Sequence, residues 1–300
     1  MTAIFSAPMA GVSDYPFRKM LRHFTSCPLF SEMISAETII SRHPKTLKML
    51  TFPKERNIIV QLVGANPLTM AEAAKHIEQM GVMEININMG CPVKKLIQNH
   101  SGAKLMQDHD LAKQIVTSVK NAIKIPVSVK TRLGWENPND IKDFAKLLEN
   151  AGADSLIVHA RTQKQGYSGQ ADWKILNSLK INIPYFVNGD IKDFDSAQLS
   201  LKQSHAAGIM VGRALLGRPW QLKEIEINKP HHVDMAELVL EHLDEMLSYY
   251  GHHGLYIARK HLAWYANHKK GVAKWRQKMY LEEDEQKLKK LIVDFWKGEN

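Results

Sequence analysis

Eight short apolar runs, each followed by a helical phrase, occupy about 220 of the 300 residues and specify a (β/α)8 barrel with a small all-helical tail. Most of these runs are apolar along their length, as parallel strands covered by helices must be. The rival architecture, a doubly wound sheet, calls for a Gly-x-Gly-x-x-Gly turn after its first strand, and the chain has none. Beyond Trp220 the strand pattern does not recur.

Strands are expected at Ala3–Ala7, Leu29–Met33, Ile58–Val63, Met83–Asn88, Val127–Thr131, Ser155–His159, Tyr185–Asn188 and Gly208–Gly212. The helices between them are punctuated. Asn66 stands at an N-cap, Pro67 at the first helical position and Gly81 beyond the end. Ile141, Phe144, Leu147 and Leu148 make one apolar face, stopped by Gly152. Residues 221–233, with Pro230 and two histidines, read as a linker. Asp234 then caps a helix with Glu237 three positions on, close to a capping box. Apolar positions 239, 243, 246, 247 and 250 share its inner face, and Gly251 ends it. Helical pattern follows at about 255–268 and 284–297. The expected division is a barrel domain over 1–220, a linker over 221–233 and a helical domain over 234–300.

Composition narrows the function classes. Hydrophobic residues at 44% and charged residues at 24% exclude a disordered chain. Two cysteines, Cys27 and Cys91, build neither a disulfide framework nor a Cys-rich zinc module. The pairs His231–His232 and His252–His253 lack a thiol or carboxylate framework, so no metal is expected. No apolar run reaches about 18 residues, so no membrane span is expected. The strand pattern begins at Thr2, which leaves no room for a leader, and a reducing cytoplasm is the expected compartment. The net charge of +9 and the pI near 9.3 favour an anionic partner such as nucleic acid, without requiring one. A monomer is expected, because no long apolar helix face remains beyond the tail's own core.

Barrels of this kind carry their chemistry at the C-terminal ends of the strands. Those ends deliver Pro8, Met9, Ala10 and Gly11, then Gln61, Asn86, Asn88 and Cys91, then Lys130, Arg132, His159 and Arg161, and finally Asn188, Gly189, Asp190, Gly212 and Arg213. Asn188-Gly189-Asp190 and Gly212-Arg213-Ala214 lie where such barrels often bind phosphate, although both are also ordinary turn sequences. Cys91 follows strand four in a Gly/Pro turn. A thiol is mostly protonated at neutral pH and can act as a general acid; with His159 as its base it could act as a nucleophile, and spacing alone does not choose. Cys27 precedes strand two at the opposite end and reads as structural. In the tail, Arg259, Lys260, Lys269, Lys270, Lys274, Arg276 and Lys278 fall within twenty residues that hold no acid, with Trp264, Tyr265 and Trp275 interleaved. Such a face can grip folded RNA, cations on phosphates and rings on bases, or it can be a solvated face over core aromatics.

The same residues carry a resemblance. The runs Ala7-Pro8-Met9-Ala10-Gly11-Val12-Ser13-Asp14, Asn88-Met89-Gly90-Cys91-Pro92, Gly102-Ala103-Lys104-Leu105-Met106 and Val129-Lys130-Thr131-Arg132-Leu133-Gly134-Trp135 resemble the tRNA-dihydrouridine synthases. So do Val158-His159-Ala160-Arg161-Thr162, Asn188-Gly189-Asp190 and Val211-Gly212-Arg213, in the same order. Gly217-Arg218-Pro219-Trp220 and the run from Ile257 to Tyr265 are similar to the bacterial B-type subgroup.

The resemblance implies tightly bound FMN, NADPH as reductant, and tRNA as partner at its D-loop and elbow. It implies hydride transfer from flavin N5 to uracil C6 and a proton from Cys91 to C5. By matched position, Pro8, Met9 and Ala10 pass along the flavin, and Gln61 and Lys130 meet its ring edge or ribityl chain. His159, Asn188, Gly189, Asp190, Gly212 and Arg213 hold its chain and phosphate, and Asn88 and Arg161 contact the uracil. Arg259, Lys260, Lys269, Lys270, Lys274 and Arg276 face the tRNA. Two rivals stand beside this reading. An FMN-dependent oxidoreductase acting on a free pyrimidine leaves the basic tail unexplained, and an RNA-binding protein without chemistry leaves the strand-end residues unexplained.

Overall fold

The computed structural model describes residues 3–50, 55, 57–267 and 269–298. The chain runs β1 (Ala3–Ser6), α1 (Tyr15–Arg22), β2 (Leu29–Ser35), α2 (Ala36–Ile40), α3 (Pro44–Met49), β3 (Ile58–Val63), α4 (Pro67–Glu78) and β4 (Glu84–Met89). It continues with α5 (Lys94–Gln98), α6 (His109–Ala122), β5 (Val127–Arg132), α7 (Ile141–Asn150), β6 (Ser155–His159), β7 (Tyr185–Asn188), α8 (Phe194–Ser204) and β8 (Gly208–Val211). Five helices follow: α9 (Gln221–Ile227), α10 (Met235–Tyr250), α11 (His253–Tyr265), α12 (Val272–Leu281) and α13 (Glu285–Lys297). None of the described helices is long and apolar enough to cross a membrane.

The strands form one parallel sheet in the order β1-β8-β7-β6-β5-β4-β3-β2, a curled (β/α)8 barrel as expected. Between β1 and β2 a side chain makes the link: Ser6 Oγ accepts the N–H of Phe30 at 3.1 Å. At the β8–β1 seam, where Ala3 pairs with Gly208, a Cβ on residue 208 would stand 2.2 Å from the Ala3 carbonyl oxygen, so only glycine fits. The punctuation works as the residues dictate. Asn66 accepts from Leu68 and Thr69, Pro67 opens α4, and Asp234 accepts from Ala236 and Glu237. One connection departs from the alternation: β6 and β7 are joined without an α-helix, by a long loop and a 3₁₀ turn over Lys174–Ser178.

Phe5, Ala7, Phe30, Ile59, Ile157, Phe186 and Met210, from β1–β3 and β6–β8, pack as one apolar cluster. Gln61, Asn86, Asn88 and Ser128, from β3–β5, are buried polar residues hydrogen-bonded to one another. A polar layer survives burial only when paired in this way.

The chain divides into two compact units, residues 1–14 with 26–212 and residues 15–25 with 213–300. The boundary thus falls at Gly212 rather than Trp220, and α1 belongs to the helical unit. Its Met20 packs in one core with Leu243, Met246, Leu255, Leu262, Met279 and Ile292, and Phe17 stacks near His261 with ring centroids 5.5 Å apart. Where a linker was expected, α9 forms, and α12 adds a helix inside the basic stretch. The aromatic pattern there also reads differently in the fold. Trp275 donates to the Leu291 carbonyl and stacks on Phe295, and Tyr265 meets His242 Nδ1 at 2.9 Å, so both rings serve the core. Burial holds His242 at about 3, hence neutral.

Candidate active site at the strand ends

Cys91 is partly exposed in the turn that leaves β4. Its N–H and that of Gly90 both donate to Asn88 Oδ1, at 3.0 and 3.2 Å, and its carbonyl accepts from Ala103 at 3.0 Å. Asn88 Nδ2 donates to Gln61 Oε1 at 2.8 Å. The amide expected to read a substrate is therefore engaged in shaping the Cys91 turn. Cys91 lies near enough to Lys130 and Arg132 to act on both electrostatically.

Lys130 Nζ donates to Asn188 Oδ1 at 3.2 Å, and Asn188 Nδ2 donates to the Met210 carbonyl at 2.8 Å. Asn188 thus aims the lysine. Burial, with Arg132 beside it, lowers Lys130 to about 7, while Cys91 acts the other way. The unfolded chain keeps the lysine protonated to a higher pH. Below about pH 7 the folded ligand-free protein bears the full cost of the buried cation, and stability rises as pH climbs from about 7. Lys130→Met is expected to raise the melting temperature of the ligand-free protein at about pH 6, with the advantage shrinking toward about pH 10. Thermal melts across that range check it.

Arg161 is almost wholly buried. Its guanidinium donates to the Ser168 carbonyl at 3.1 Å, the Gly169 carbonyl at 2.7 Å and Asp190 Oδ2, and lies 3.4 Å from His159 Nε2. The same Asp190 oxygen accepts from Ala171 N at 2.9 Å. Two residues expected to hold different ligand parts are paired with each other, because a buried guanidinium needs a counter-charge. Asp190 has φ +56 and Gly189 φ +113, and Trp173 Nε1 donates to the Gly189 carbonyl at 2.8 Å. A Cβ on Gly189 would stand 2.8 Å from the His159 ring. His159 also faces the Tyr167 ring, centroids 6.0 Å apart.

Arg132, named among the strand ends but given no role there, clamps the site. It donates to the carbonyls of Gly90 at 2.8 Å, Thr162 at 3.1 Å and Gly166 at 2.8 Å, and sits over Tyr167. The signal was the shared face of residues 128, 130 and 132 on one strand. At the end of β1, the Pro8-Met9-Ala10 segment is folded back by Ser13, whose Oγ donates to the Ala7 carbonyl and accepts from Met9 N. Glu32 on β2 accepts the Gly11 N–H. A Cβ on Gly212 would meet Ala7 at 3.3 Å and Met9 at 3.9 Å. The chain then enters a 3₁₀ turn at Arg213–Leu215.

In the helical unit the expected RNA-facing cations separate into two kinds. Arg259 donates to the Glu282 carbonyl and lies over Tyr256, and Arg276 donates to the Ala263 carbonyl and Asn267, so both brace the helices. Lys269 lies 5.4 Å from the Phe295 ring centre, and Lys260 is half-buried. Lys270 and Lys274 are exposed, as is Lys278.

A sequence model of the family described as Dihydrouridine synthase (Dus) matches residues 5–297. The chain is 38% identical to a probable tRNA-dihydrouridine synthase of Rickettsia conorii, over 98% of this chain and 93% of that protein. It is 36% identical to tRNA-dihydrouridine synthase B of Pseudomonas aeruginosa, over 90% of this chain and 85% of that one. The solved structure of histamine dehydrogenase from Rhizobium sp. 4-9 shares the fold, with a TM-score of 0.58 and 12% identity, covering 81% of this chain and about half (48%) of that protein. With β2–β8, the Cys91 turn and the helical tail all inside the matched span, the chain belongs to the dihydrouridine synthase family.

Proposed function

We propose that the protein reduces D-loop uridines of tRNA to 5,6-dihydrouridine, with FMN as tightly bound cofactor and NADPH as reductant. The observation that carries this reading is the partly exposed Cys91 beside Lys130 and Arg132 at adjoining strand ends, in a family of dihydrouridine synthases. The curated relatives' names, which specify tRNA, support the substrate.

The residues fit a flavin mononucleotide. At Gly189 a Cβ would press on His159 and Ala171 and at Gly212 on Ala7, so the backbone packs closely at both strand ends, and Lys130, Gln61 and Asn188 supply cation and amide groups above an apolar barrel interior. Pro8, Met9 and Ala10 would border the ring, and the backbone at Gly189, Asp190, Gly212 and Arg213 would hold the phosphate. The bound flavin supplies hydride chemistry, from N5 to uracil C6. The protein supplies the rest. The Cys91 thiol gives its proton to C5 from the opposite side. An anionic oxygen beside Lys130 would raise that lysine again, so flavin binding above about pH 7 takes up a proton. Arg132 holds the Gly90 carbonyl and so keeps the thiol's turn closed.

The target uridine must leave its stack to reach the barrel mouth, which costs a few kcal/mol that contacts along the tRNA offset. Lys270, Lys274 and Lys278 are exposed, and their cations would meet phosphates of the tRNA. Lys274→Ala and Lys278→Ala are each expected to weaken tRNA binding and to lower the slope of log K against log salt by about 1. Binding titrations at several salt concentrations check this.

The reading itself is tested with purified protein, NADPH and tRNA transcribed without modifications. A two-dalton gain at D-loop uridines, mapped by mass spectrometry, is the expected result. No gain from a preparation that is yellow and oxidises NADPH would favour the free-pyrimidine enzyme.

A further inference from the structure

We infer that Glu84, at the far end of β4 from Cys91, is a positioning residue for that thiol, acting through a one-way hydrogen-bond chain across the barrel interior. The inference rests on Cys91 as the proton donor. The chain starts at the Glu84 carboxylate, to which Ser128 Oγ donates. Ser128 Oγ accepts from Asn86 Nδ2 at 2.7 Å, and Asn86 Oδ1 accepts from Gln61 Nε2 at 2.7 Å. Gln61 Oε1 accepts from Asn88 Nδ2 at 2.8 Å, and Asn88 Oδ1 receives the N–H groups of Gly90 and Cys91.

The direction follows from chemistry. An ionised carboxylate only accepts, so Ser128 must spend its single proton on Glu84. Its oxygen is then left to accept, which turns the Asn86 amide, then Gln61, then Asn88. Each of these three amides has a donor end and an acceptor end, and inverting one sets like groups against each other. Water offers little substitute, because Ser128 and Asn86 are 0% exposed, Gln61 1% and Asn88 7%. If the terminus can itself donate, the reversed chain becomes available. Reversal aims Asn88 Nδ2 at the N–H groups of Gly90 and Cys91, and the turn that presents the thiol opens.

The terminus is poised to change. Glu84 is half-buried, and burial raises it to about 7 against the Ser128 hydrogen bond, with Asp154 adding to the rise. Asp154 is itself held by Lys120 and by the N–H of Val127. The acceptor-only form of Glu84 therefore prevails above about pH 7 and gives way below it.

The test uses flavin-loaded full-length protein. Cys91 alkylation by iodoacetamide is followed by peptide mass spectrometry, which separates it from Cys27, and turnover on tRNA is measured in parallel. At about pH 8, Glu84→Gln is expected to label faster at Cys91 and to lose roughly ten- to a hundredfold in kcat, with KM for tRNA unchanged. The wild-type to variant ratios should fall toward one at about pH 6, where wild-type Glu84 is protonated. Ser128→Ala should reproduce the loss and Ser128→Thr, which keeps the hydroxyl, should restore it; this pair decides the matter if Glu84→Gln does not fold. Wild-type labelling and kcat in Glu84→Gln at about pH 8, ratios that ignore pH, or full activity in Ser128→Ala would each overturn the proposal. A fully active Cys91→Ala protein would instead sink the proton-donor reading and leave the labelling result standing.

Discussion

Replacing Cys91 with alanine is expected to leave flavin bound and to lower dihydrouridine formation roughly 10²–10⁴-fold, the usual worth of a general acid. The geometry makes this a clean deletion. The turn is held by backbone groups, two N–H bonds to Asn88 and one carbonyl bond from Ala103, and none of them uses the sulfur. Lys130 and Arg132 keep their own partners at Asn188 and Gly90. Hydride delivery would remain available, with water left to protonate C5. Single-turnover assays with the flavin spectrum as a loading control read the effect. Wild-type rates in Cys91→Ala would show that the proton comes from elsewhere.

Asp190→Ala is expected to cost about 3 kcal/mol of stability and much of the flavin occupancy. Removing one partner of a buried ion pair strands the other, at about 3–5 kcal/mol, and the low end applies because Asp190 retains some exposure. Arg161 has no route to water, being 2% exposed, and its remaining bonds go to loop carbonyls. The same substitution frees Ala171 N, so the β6–β7 loop loses its tie to residue 190. Asp190→Asn keeps an oxygen acceptor and should recover part of both losses. Denaturant unfolding of the flavin-free variants, with flavin absorbance after purification, checks the two effects separately.

The barrel was legible because strand runs and helix caps are local. Asn66-Pro67 and Asp234 act on N–H groups two or three residues away, so their roles can be read from spacing. Cys91 was legible as a thiol in a Gly/Pro turn past a strand. What its neighbours do was not. Asn88 meets Gln61 across 27 residues, Arg161 meets Asp190 across 29, and Lys130 meets Asn188 across 58. Each residue could be picked as polar and near the mouth, but whether it faces a ligand or another side chain depends on a partner brought by the curled sheet. In the tail, Trp275 and Met279 sit one helical turn apart on a core stripe, but α12 has only Gly271 at its N-cap and no side-chain cap, so spacing alone left open whether the aromatics there meet RNA or the core.

The membership of α1 in the helical unit has a consequence for how the chain is made. Phe17, Met20 and Leu21 are buried, yet much of the core that Met20 joins, through Leu288 and Ile292, comes from the last helices. At ribosomal rates of about 5–20 residues per second, α1 waits on the order of 15–50 s before those helices exist. During that interval its apolar face is open to solvent while strands on either side of it in sequence are already available to pair. Nascent chains stalled before residue 280 should therefore be the ones that bind hydrophobic-patch chaperones, and a tail fragment begun at residue 234 would lack the helix that its own core was built to receive.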